Sequence, residues 1–175
     1  MIKKILVPTD GSDHAAKALD LAADLAGKYG AGIVILHVLL RDASPAEMKA
    51  LAGRKLPKAT ADELDRLTEL PLETEALTGA YAPIHAFVPT EVQEEVGKVI
   101  AENARAAAAA KGVSDLSVRM VGGDAAKQIV AAAEKEGVDM IVMGSRGFGD
   151  LKGLLLGSVS HKVSNHSPCT CVTVK

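Results

Sequence analysis

The sequence predicts one doubly wound α/β domain, in which helices cover both faces of a five-stranded parallel sheet. Three observations support this fold class. Short apolar runs typical of strands alternate with longer stretches of helical period. Apolar residues make up 48% of the 175 residues, enough for one core, and only 2% are aromatic, so that core is built from small aliphatic side chains. We therefore predict a single domain over residues 1–175.

The strands are predicted from apolar and β-branched runs. GIVILHVLL at 32–40 is apolar almost throughout, as expected for a strand that is buried on both faces. The five predicted strands lie at residues 5–8, 32–40, 116–121, 139–143 and 169–174. Right-handed crossovers and a reversal of winding direction give the strand order 3-2-1-4-5.

Four helices are predicted from apolar residues at helical spacing, each between a capping residue and a terminating residue. These pairs are Ser12 and Gly30, Thr90 and Gly112, Asp124 and Gly137, and Ser158 and Asn165. Thr90 and Gln93 have the spacing of a capping box at the start of the longest helix. The alanine run at 106–110 continues that helix, because alanine has the highest helix propensity.

Residues 41–90 interrupt the alternation of strands and helices. They contain five prolines and no strand-like run, so we predict an insertion at about 41–90. Thr60 and Glu63 have the spacing of a capping box, which predicts a short helix that ends near Leu70. The apolar stretch at 81–89 needs cover from the domain, from a ligand or from a partner.

Charge and hydropathy argue against several functional classes. The chain has 20 Lys and Arg against 22 Asp and Glu, so it has no excess positive charge to attract nucleic acid or an anionic membrane. No apolar stretch approaches the roughly 20 residues that cross a bilayer. The first apolar run ends at Pro8 and Asp10, too early for a secretion signal. We expect a soluble, cytoplasmic protein that binds neither nucleic acid nor membrane.

The cysteines and histidines do not predict a metal site. Cys169 and Cys171 are two apart in the last predicted strand, and His161 and His166 precede them at a spacing that does not assemble a tetrahedral site. Two free thiols are predicted. His37 lies inside the second predicted strand, and we expect a hydrogen-bonded core residue there, not a catalyst.

Glycines cluster after the fourth predicted strand. Gly144 and Gly147 have no Cβ, so their amides can approach an anion, and they can adopt φ angles that other residues avoid. Gly157 precedes Ser158, the predicted N-cap of the last helix, and a helix N-terminus with free amides binds phosphate. A P-loop is absent and a near match to G-x-G-x-x-G is out of register, which argues against both of those sites. From the residues alone, this segment is either a phosphate site or a tight connection.

One spacing carries a family resemblance. GSRG at 144–147, then nine residues, then GS at 157–158 resembles the G-2x-G-9x-G-[ST] pattern of the nucleotide-binding branch of the universal stress protein family. ILVPTDGS at 5–12 also resembles the first strand and turn of that family, and the similarity covers about residues 1–40 and 95–175. It implies a Rossmann-like, more specifically flavodoxin-like, fold. It also implies bound ATP with Mg²⁺ and a homodimer joined through the C-terminal strand.

The resemblance also implies which residues hold the nucleotide. The backbone of Val38 would pair with the adenine edge, and Asp10 would lie near the ribose and phosphates or their magnesium. The implied nucleotide-binding residues are Pro8, Thr9, Asp10, Val38, Met143, Gly144, Arg146, Gly147, Gly157, Ser158, Val159 and Ser160. Simpler roles remain open, since Asp10 can close a turn and Ser158 can be a plain N-cap.

The resemblance therefore implies an adenine-nucleotide (ATP) binding regulatory protein whose occupancy biases its conformation, dimerisation or contacts with a protein partner. No catalytic residue is predicted, because no base or water-positioning group is recognisable beside Asp10, and slow ATP hydrolysis is the most activity expected. The alternative is a dimerisation scaffold that binds a cyclic nucleotide, or no nucleotide at all, and acts through partner contacts. The insertion is longer than is usual for the family.

Overall fold

The computed structural model describes residues 1–69, 88–149 and 156–175. The strands are β1 (Lys4–Pro8), β2 (Gly32–Val38), β3 (Leu116–Val121), β4 (Met140–Gly144) and β5 (Thr170–Val174). The α-helices are α1 (Asp13–Tyr29), α2 (Pro45–Ala52), α3 (Lys58–Glu69), α4 (Thr90–Ala110), α5 (Ala125–Glu136) and α6 (Ser158–His166), and a 3₁₀ turn (Gly53–Lys55) follows α2. No helix in these ranges is long and apolar enough to cross a bilayer.

Neighbouring strands run parallel in the order β3-β2-β1-β4-β5. The register places Ile5 of β1 opposite Ile33 of β2 on one side and opposite Met140 of β4 on the other. The predicted α/β class, the parallel sheet and its strand order are confirmed. Because the winding direction reverses between β1 and β4, a crevice opens at the carboxyl ends of these two strands.

Helices cover the sheet on both faces. On one face, α1 and α4 pack their alanines against side chains that include Ile5 and Val7 of β1. On the other face, α5 and α6 pack against a cluster that includes Leu6 of the same strand. Successive side chains of a strand point to opposite faces, so β1 contributes to both cores. Each buried aliphatic side chain of this kind stabilises the fold by about 1.5–3 kcal/mol.

A third apolar cluster joins α2 and α3 to α4, and we call α2 and α3 the helical layer. Its buried members are Leu40, Ala43, Met48, Ala52, Leu64, Leu67, Val88, Val96 and Ile100. The layer lies against the turn after β1, since a Cβ on Gly11 would come 3.0 Å from the carbonyl oxygen of Leu51. Phe148, from the loop after β4, packs at its edge. The helical layer therefore contacts both loops of the crevice.

Most predicted helix ends are confirmed. Ser12 caps α1 by accepting a hydrogen bond from the amide of Ala15, and Asp124 caps α5 in the same way. Gly30, Gly112 and Gly137 all have positive φ angles, which end their helices as predicted. The structure places β3 at the predicted residues.

Both predicted capping boxes are wrong. α3 begins after Pro57, so Thr60 lies inside its first turn, and α4 begins after Pro89 without a side-chain cap. In both helices the carbonyl of the preceding proline accepts an early helical hydrogen bond, which fixes the start without a hydroxyl. Gln93 instead donates its side-chain amide to the carbonyl of Val88, over 2.8 Å.

The helix α2 was not predicted from the sequence. Its N-cap is Ser44, whose hydroxyl accepts from the Glu47 amide at 3.3 Å while the Glu47 carboxylate accepts from the Ser44 amide at 2.7 Å. The second strand was predicted to reach residue 40 but ends at Val38. In the described part of 41–90 no strand occurs. The predicted helix end at Leu70 and most of the apolar stretch at 81–89 lie outside the described residues, and the insertion itself stays a prediction.

Candidate functional site

A cavity of about 650 Å³ lies at the carboxyl ends of the strands, and all twelve residues predicted to bind nucleotide line it. They come from four separate places in the chain, namely the ends of β1, β2 and β4 and the start of α6. The sequence-predicted lining residues are Pro8, Thr9, Asp10, Val38, Met143, Gly144, Arg146, Gly147, Gly157, Ser158, Val159 and Ser160. The volume is within the range of about 300–1,000 Å³ that small-ligand pockets occupy.

The cavity is also lined by residues that were not predicted from the sequence to bind nucleotide. These are Ala15, Leu36, Leu39, Leu40, Arg41, Asp42, Gly123, Asp124, Ala125, Ile129, Phe148, Gly149 and Lys162. Arg41 and Asp42 follow β2, and Gly123 and Asp124 follow β3, at the same edge of the sheet as the predicted site. The rule that ligands bind at the carboxyl ends of parallel strands is the signal that would have found them.

One end of the cavity is bounded by β2 and the turn after β1. His37 is fully buried, and its Nδ1 donates to the carbonyl oxygen of Thr9 over 2.9 Å, as expected for a hydrogen-bonded core residue. Its Nε2 has no hydrogen-bond partner among the described residues. Burial lowers the pKa of His37 below its ordinary value, although the Thr9 hydrogen bond and the nearby Asp10 oppose that shift. The ring is therefore held in its neutral form.

Asp10 ties the turn after β1 to the loop after β4. Its Oδ1 accepts from the amide of Ser12 at 3.0 Å, and its Oδ2 accepts from the amide of Phe148 at 3.0 Å. A Cβ on Gly147 would overlap Oδ2, so only glycine allows the loop to lie this close to the carboxylate. Asp10 thus does close a turn, which was the simpler role, and it also fixes the glycine loop.

Gly144 and Gly147 do not use the φ freedom that glycine offers, since neither has a positive φ. Space is what requires glycine at these positions. A Cβ on Gly144 would come 2.9 Å from the carbonyl oxygen of Arg146 and 2.9 Å from backbone and Cβ atoms of His14. The absence of a side chain at Gly144 therefore lets α1 pack closely against the end of β4.

The N-terminus of α6 lines another part of the cavity. Gly157, not Ser158, is its N-cap, with φ −72° and ψ 164°, and Ser158 is the first helical residue. The amide of Gly157 and the hydroxyl of Ser160 both donate to the carbonyl of Ser145, at 2.8 and 2.7 Å. The Ser160 hydroxyl is therefore already used inside the protein. The amides of Ser158, Val159 and Ser160 belong to the first turn, where amides have no acceptor within the helix.

Charged side chains of both signs surround the cavity. Lys162 lies one turn after Ser158 on α6, and Arg146 lies in the glycine loop. The amide of Lys127, with help from the Lys162 ammonium group, lowers the pKa of Asp124. Within the described ranges, no three His, Cys, Asp or Glu side chains form a group that could hold a metal ion. The Lys162 ammonium group and the free amides at the start of α6 give the cavity an anion-attracting side, whereas the carboxylates lie at the strand ends.

Comparison with known proteins places this geometry in a family. The model of the universal stress protein family matches residues 1–175. The chain is 39% identical to the universal stress protein YxiE of Bacillus subtilis, and the alignment covers all of both chains. It superposes on the universal stress protein UspA from Lactobacillus plantarum with a TM-score of 0.68 and 20% identity, over 99% of this chain and 98% of the other.

Two further solved structures of similar fold contain nucleotides. One is the universal stress protein from Archaeoglobus fulgidus in complex with dAMP, 17% identical, with a TM-score of 0.61 over all of both chains. The other is a universal stress protein in complex with cAMP, 22% identical, with a TM-score of 0.62 over 99% of this chain and 97% of the other. The fold, the full-length family match and the identity to YxiE agree, and the chain belongs to the universal stress protein family.

Proposed function

We propose that this chain binds ATP with Mg²⁺ in the cavity and acts as a cytoplasmic regulatory protein of the universal stress type. The observation that carries the proposal is the cavity lining, since the twelve residues implied by the glycine spacing surround one space. The free thiols of Cys169 and Cys171 fit a reducing compartment.

The two ends of the cavity suit the two ends of ATP. Near β2 the lining includes the apolar side chains of Leu36, Val38 and Ile129, and a flat purine ring fits against them. At the other end, the first-turn amides of α6 and its helix dipole favour negative charge, and Lys162 adds a cation. The distribution of polarity supports a base at one end and phosphates at the other.

The donor set around Asp10 fits a magnesium ion that arrives with the phosphates. Each Asp10 oxygen accepts one main-chain amide, so each keeps a lone pair for a magnesium-bound water. The same two hydrogen bonds hold the carboxylate in place, which suits a fixed structural carboxylate more than a proton-accepting base. The proposal is therefore regulation by occupancy, with slow ATP hydrolysis at most.

The test is calorimetric titration of the full chain with ATP, ADP, AMP, cAMP and GTP, with and without Mg²⁺. We expect ATP to bind more tightly than the other nucleotides, because its triphosphate places the most negative charge at the start of α6, and Mg²⁺ to strengthen that binding because the Asp10 carboxylate can accept from its bound water. Equal affinity for ATP, ADP, AMP and cAMP would count against a triphosphate site. The cAMP complex of a relative makes a cyclic nucleotide the second candidate, and tightest binding of cAMP would favour it.

The proposal includes a homodimer through β5, through which occupancy could reach a protein partner. β5 is the last strand of the sheet and pairs only with β4 among the described strands. The amide of Ser145 donates to the carbonyl of Val174, so the N–H and C=O of Val174 point toward β4. Successive peptide groups of a strand point to opposite sides, so the N–H of Thr173 points away from β4. Thr173→Pro removes that amide, and we expect it to produce monomers in analytical ultracentrifugation, whereas Thr173→Val keeps the dimer. A dimer unchanged by the proline would contradict this interface.

A further inference from the structure

The backbone of β2 alternates between its two neighbouring strands. Successive peptide groups of a strand point to opposite sides, so alternate residues bond to β1 and to β3. The amide of Gly32 donates to Lys3 at 2.8 Å, and the carbonyl of Leu36 accepts from Thr9 at 2.9 Å, both on the β1 side. The amide of Leu39 donates to Val121 of β3 at 2.9 Å. Val38 lies two residues after Leu36, so its N–H and C=O also point toward the β1 side.

Both groups that would continue the ladder to Val38 are already bonded elsewhere. The next acceptor in register is the carbonyl of Thr9, and it accepts from Nδ1 of His37 at 2.9 Å. The next donor is the amide of Gly11, and it donates to the hydroxyl of Thr9 at 3.3 Å. Among the described residues, Val38 makes no hydrogen bond to the β1 side. The ladder therefore opens at Val38, beside the cavity that this residue lines.

The position of His37 is fixed by packing. The ring is fully buried, and a Cβ on Gly97 of α4 would come 2.8 Å from its Cδ2, so a glycine makes room for it. A carbonyl oxygen accepts only, so the nitrogen that faces Thr9 must carry a proton in both charge states of the ring. The ring is thus a permanent donor to the Thr9 carbonyl.

We propose that His37 is a positioning residue for base recognition, whose Nδ1–H takes the place of the Val38 amide at the Thr9 carbonyl and so leaves the N–H of Val38 open to a ligand in the cavity. The C=O of Val38 is open beside it, because the amide of Gly11 donates to the Thr9 hydroxyl instead. The inference rests on the proposed function for the ligand, an adenine nucleotide. In an extended residue these two groups lie side by side, matching the N1 acceptor and the N6 amino donor of adenine. Guanine in the same pose presents an acceptor to the carbonyl and a donor to the amide, so it is rejected.

Two variants separate the donor from the side chain that carries it. His37→Leu replaces the ring with an apolar side chain of similar size and removes the donor. His37→Asn keeps an N–H near the position of Nδ1 and is the matched control. In His37→Leu the released Thr9 carbonyl needs a partner, and the amide of Val38 is the next group in register.

Amide hydrogen exchange on the ligand-free protein is the first measurement. In the wild type and His37→Asn, we expect the Val38 amide to exchange at least about tenfold faster than the Leu39 amide. In His37→Leu we expect the Val38 amide to become protected by about tenfold or more. General damage to the fold would speed exchange, so a gain of protection at one amide is specific to the proposed role.

Nucleotide affinity is the second measurement. We expect His37→Leu to bind ATP about tenfold more weakly and His37→Asn to stay within about threefold of the wild type. If the Val38 amide exchanges as slowly as the Leu39 amide in the wild type, the inference is overturned. This outcome does not depend on whether His37→Leu folds. The expected exchange pattern without any adenine-nucleotide binding would establish the open ladder and refute the proposed function, so the two failures are distinguishable.

Discussion

Replacing Gly147 with alanine adds one methyl group at the closest approach between the glycine loop and the rest of the protein. The new Cβ would overlap Oδ2 of Asp10, and Asp10 is anchored at its other oxygen by the Ser12 amide. The carboxylate or the loop has to shift, and the 3.0 Å hydrogen bond from the Phe148 amide to Oδ2 is lost or weakened.

The expected effect follows from that one bond. A hydrogen bond to a charged group contributes about 1.5–3 kcal/mol, and partial exposure of Asp10 favours the lower figure. We expect Gly147→Ala to lower the free energy of unfolding by about 1–2 kcal/mol. Because the loop also lines the cavity, we expect ATP to bind about tenfold more weakly.

The same loop supplies a matched control. A Cβ on Gly149 would meet no atom of the described residues within 4 Å, and its φ is not positive. Urea denaturation and calorimetric titration with ATP and Mg²⁺ would be run on both variants. We expect Gly149→Ala to behave as the wild type. If Gly147→Ala binds ATP as tightly as Gly149→Ala does, the contact between the loop and Asp10 does not shape the site.

Three further predictions concern stability. Gly144→Ala should cost about 1–3 kcal/mol in urea denaturation, because its Cβ would meet backbone atoms at 2.9 Å that cannot move easily; a neutral result would contradict the packing of α1 on β4. Gly27→Ala should stabilise the protein by about 0.5–1 kcal/mol, since it lies inside α1 and no described residue comes within 4 Å of the added Cβ; destabilisation would refute this. Burial lowers the pKa of His37 below 6.5, so the unfolded chain binds a proton at this ring more readily than the folded protein does. The stability that the neutral ring contributes is therefore fully present above pH 6.5 and is lost as the pH falls below it. Urea denaturation at pH 7.5 and 5.5 should show a larger loss for the wild type than for His37→Leu, and equal losses would contradict a buried neutral ring.

The fold was predictable because its signals are local and mutually consistent. Ser12 and Gly30 mark the two ends of α1 through hydrogen bonds to residues a few positions away. The apolar β2 segment is recognisable without its neighbours. Parallel strands joined by crossover helices have few allowed arrangements, so local elements were enough to give the strand order. The helix α2 was missed because prolines around it indicated irregular structure, although Ser44 and Glu47 formed a true capping box.

The site was predictable only in part, for a different reason. The glycine spacing identified Gly147 and Gly157 as cavity residues, but it could not show why glycine is needed there. The reason at Gly147 is a contact with Asp10, far away in sequence, and no local pattern encodes such a contact. The bond from His37 to Thr9 is equally distant, which is why the sequence indicated a buried histidine without indicating what it holds.

The central claim is that one ligand spans the cavity from the end of β2 to the start of α6. Amide chemical shifts of the full chain, titrated with ATP and Mg²⁺, test it most directly. We expect the amides of Val38, at one end, and of Ser158 and Val159, at the other, to shift together with a single dissociation constant. Saturating ATP that leaves both groups of amides unchanged would contradict the account.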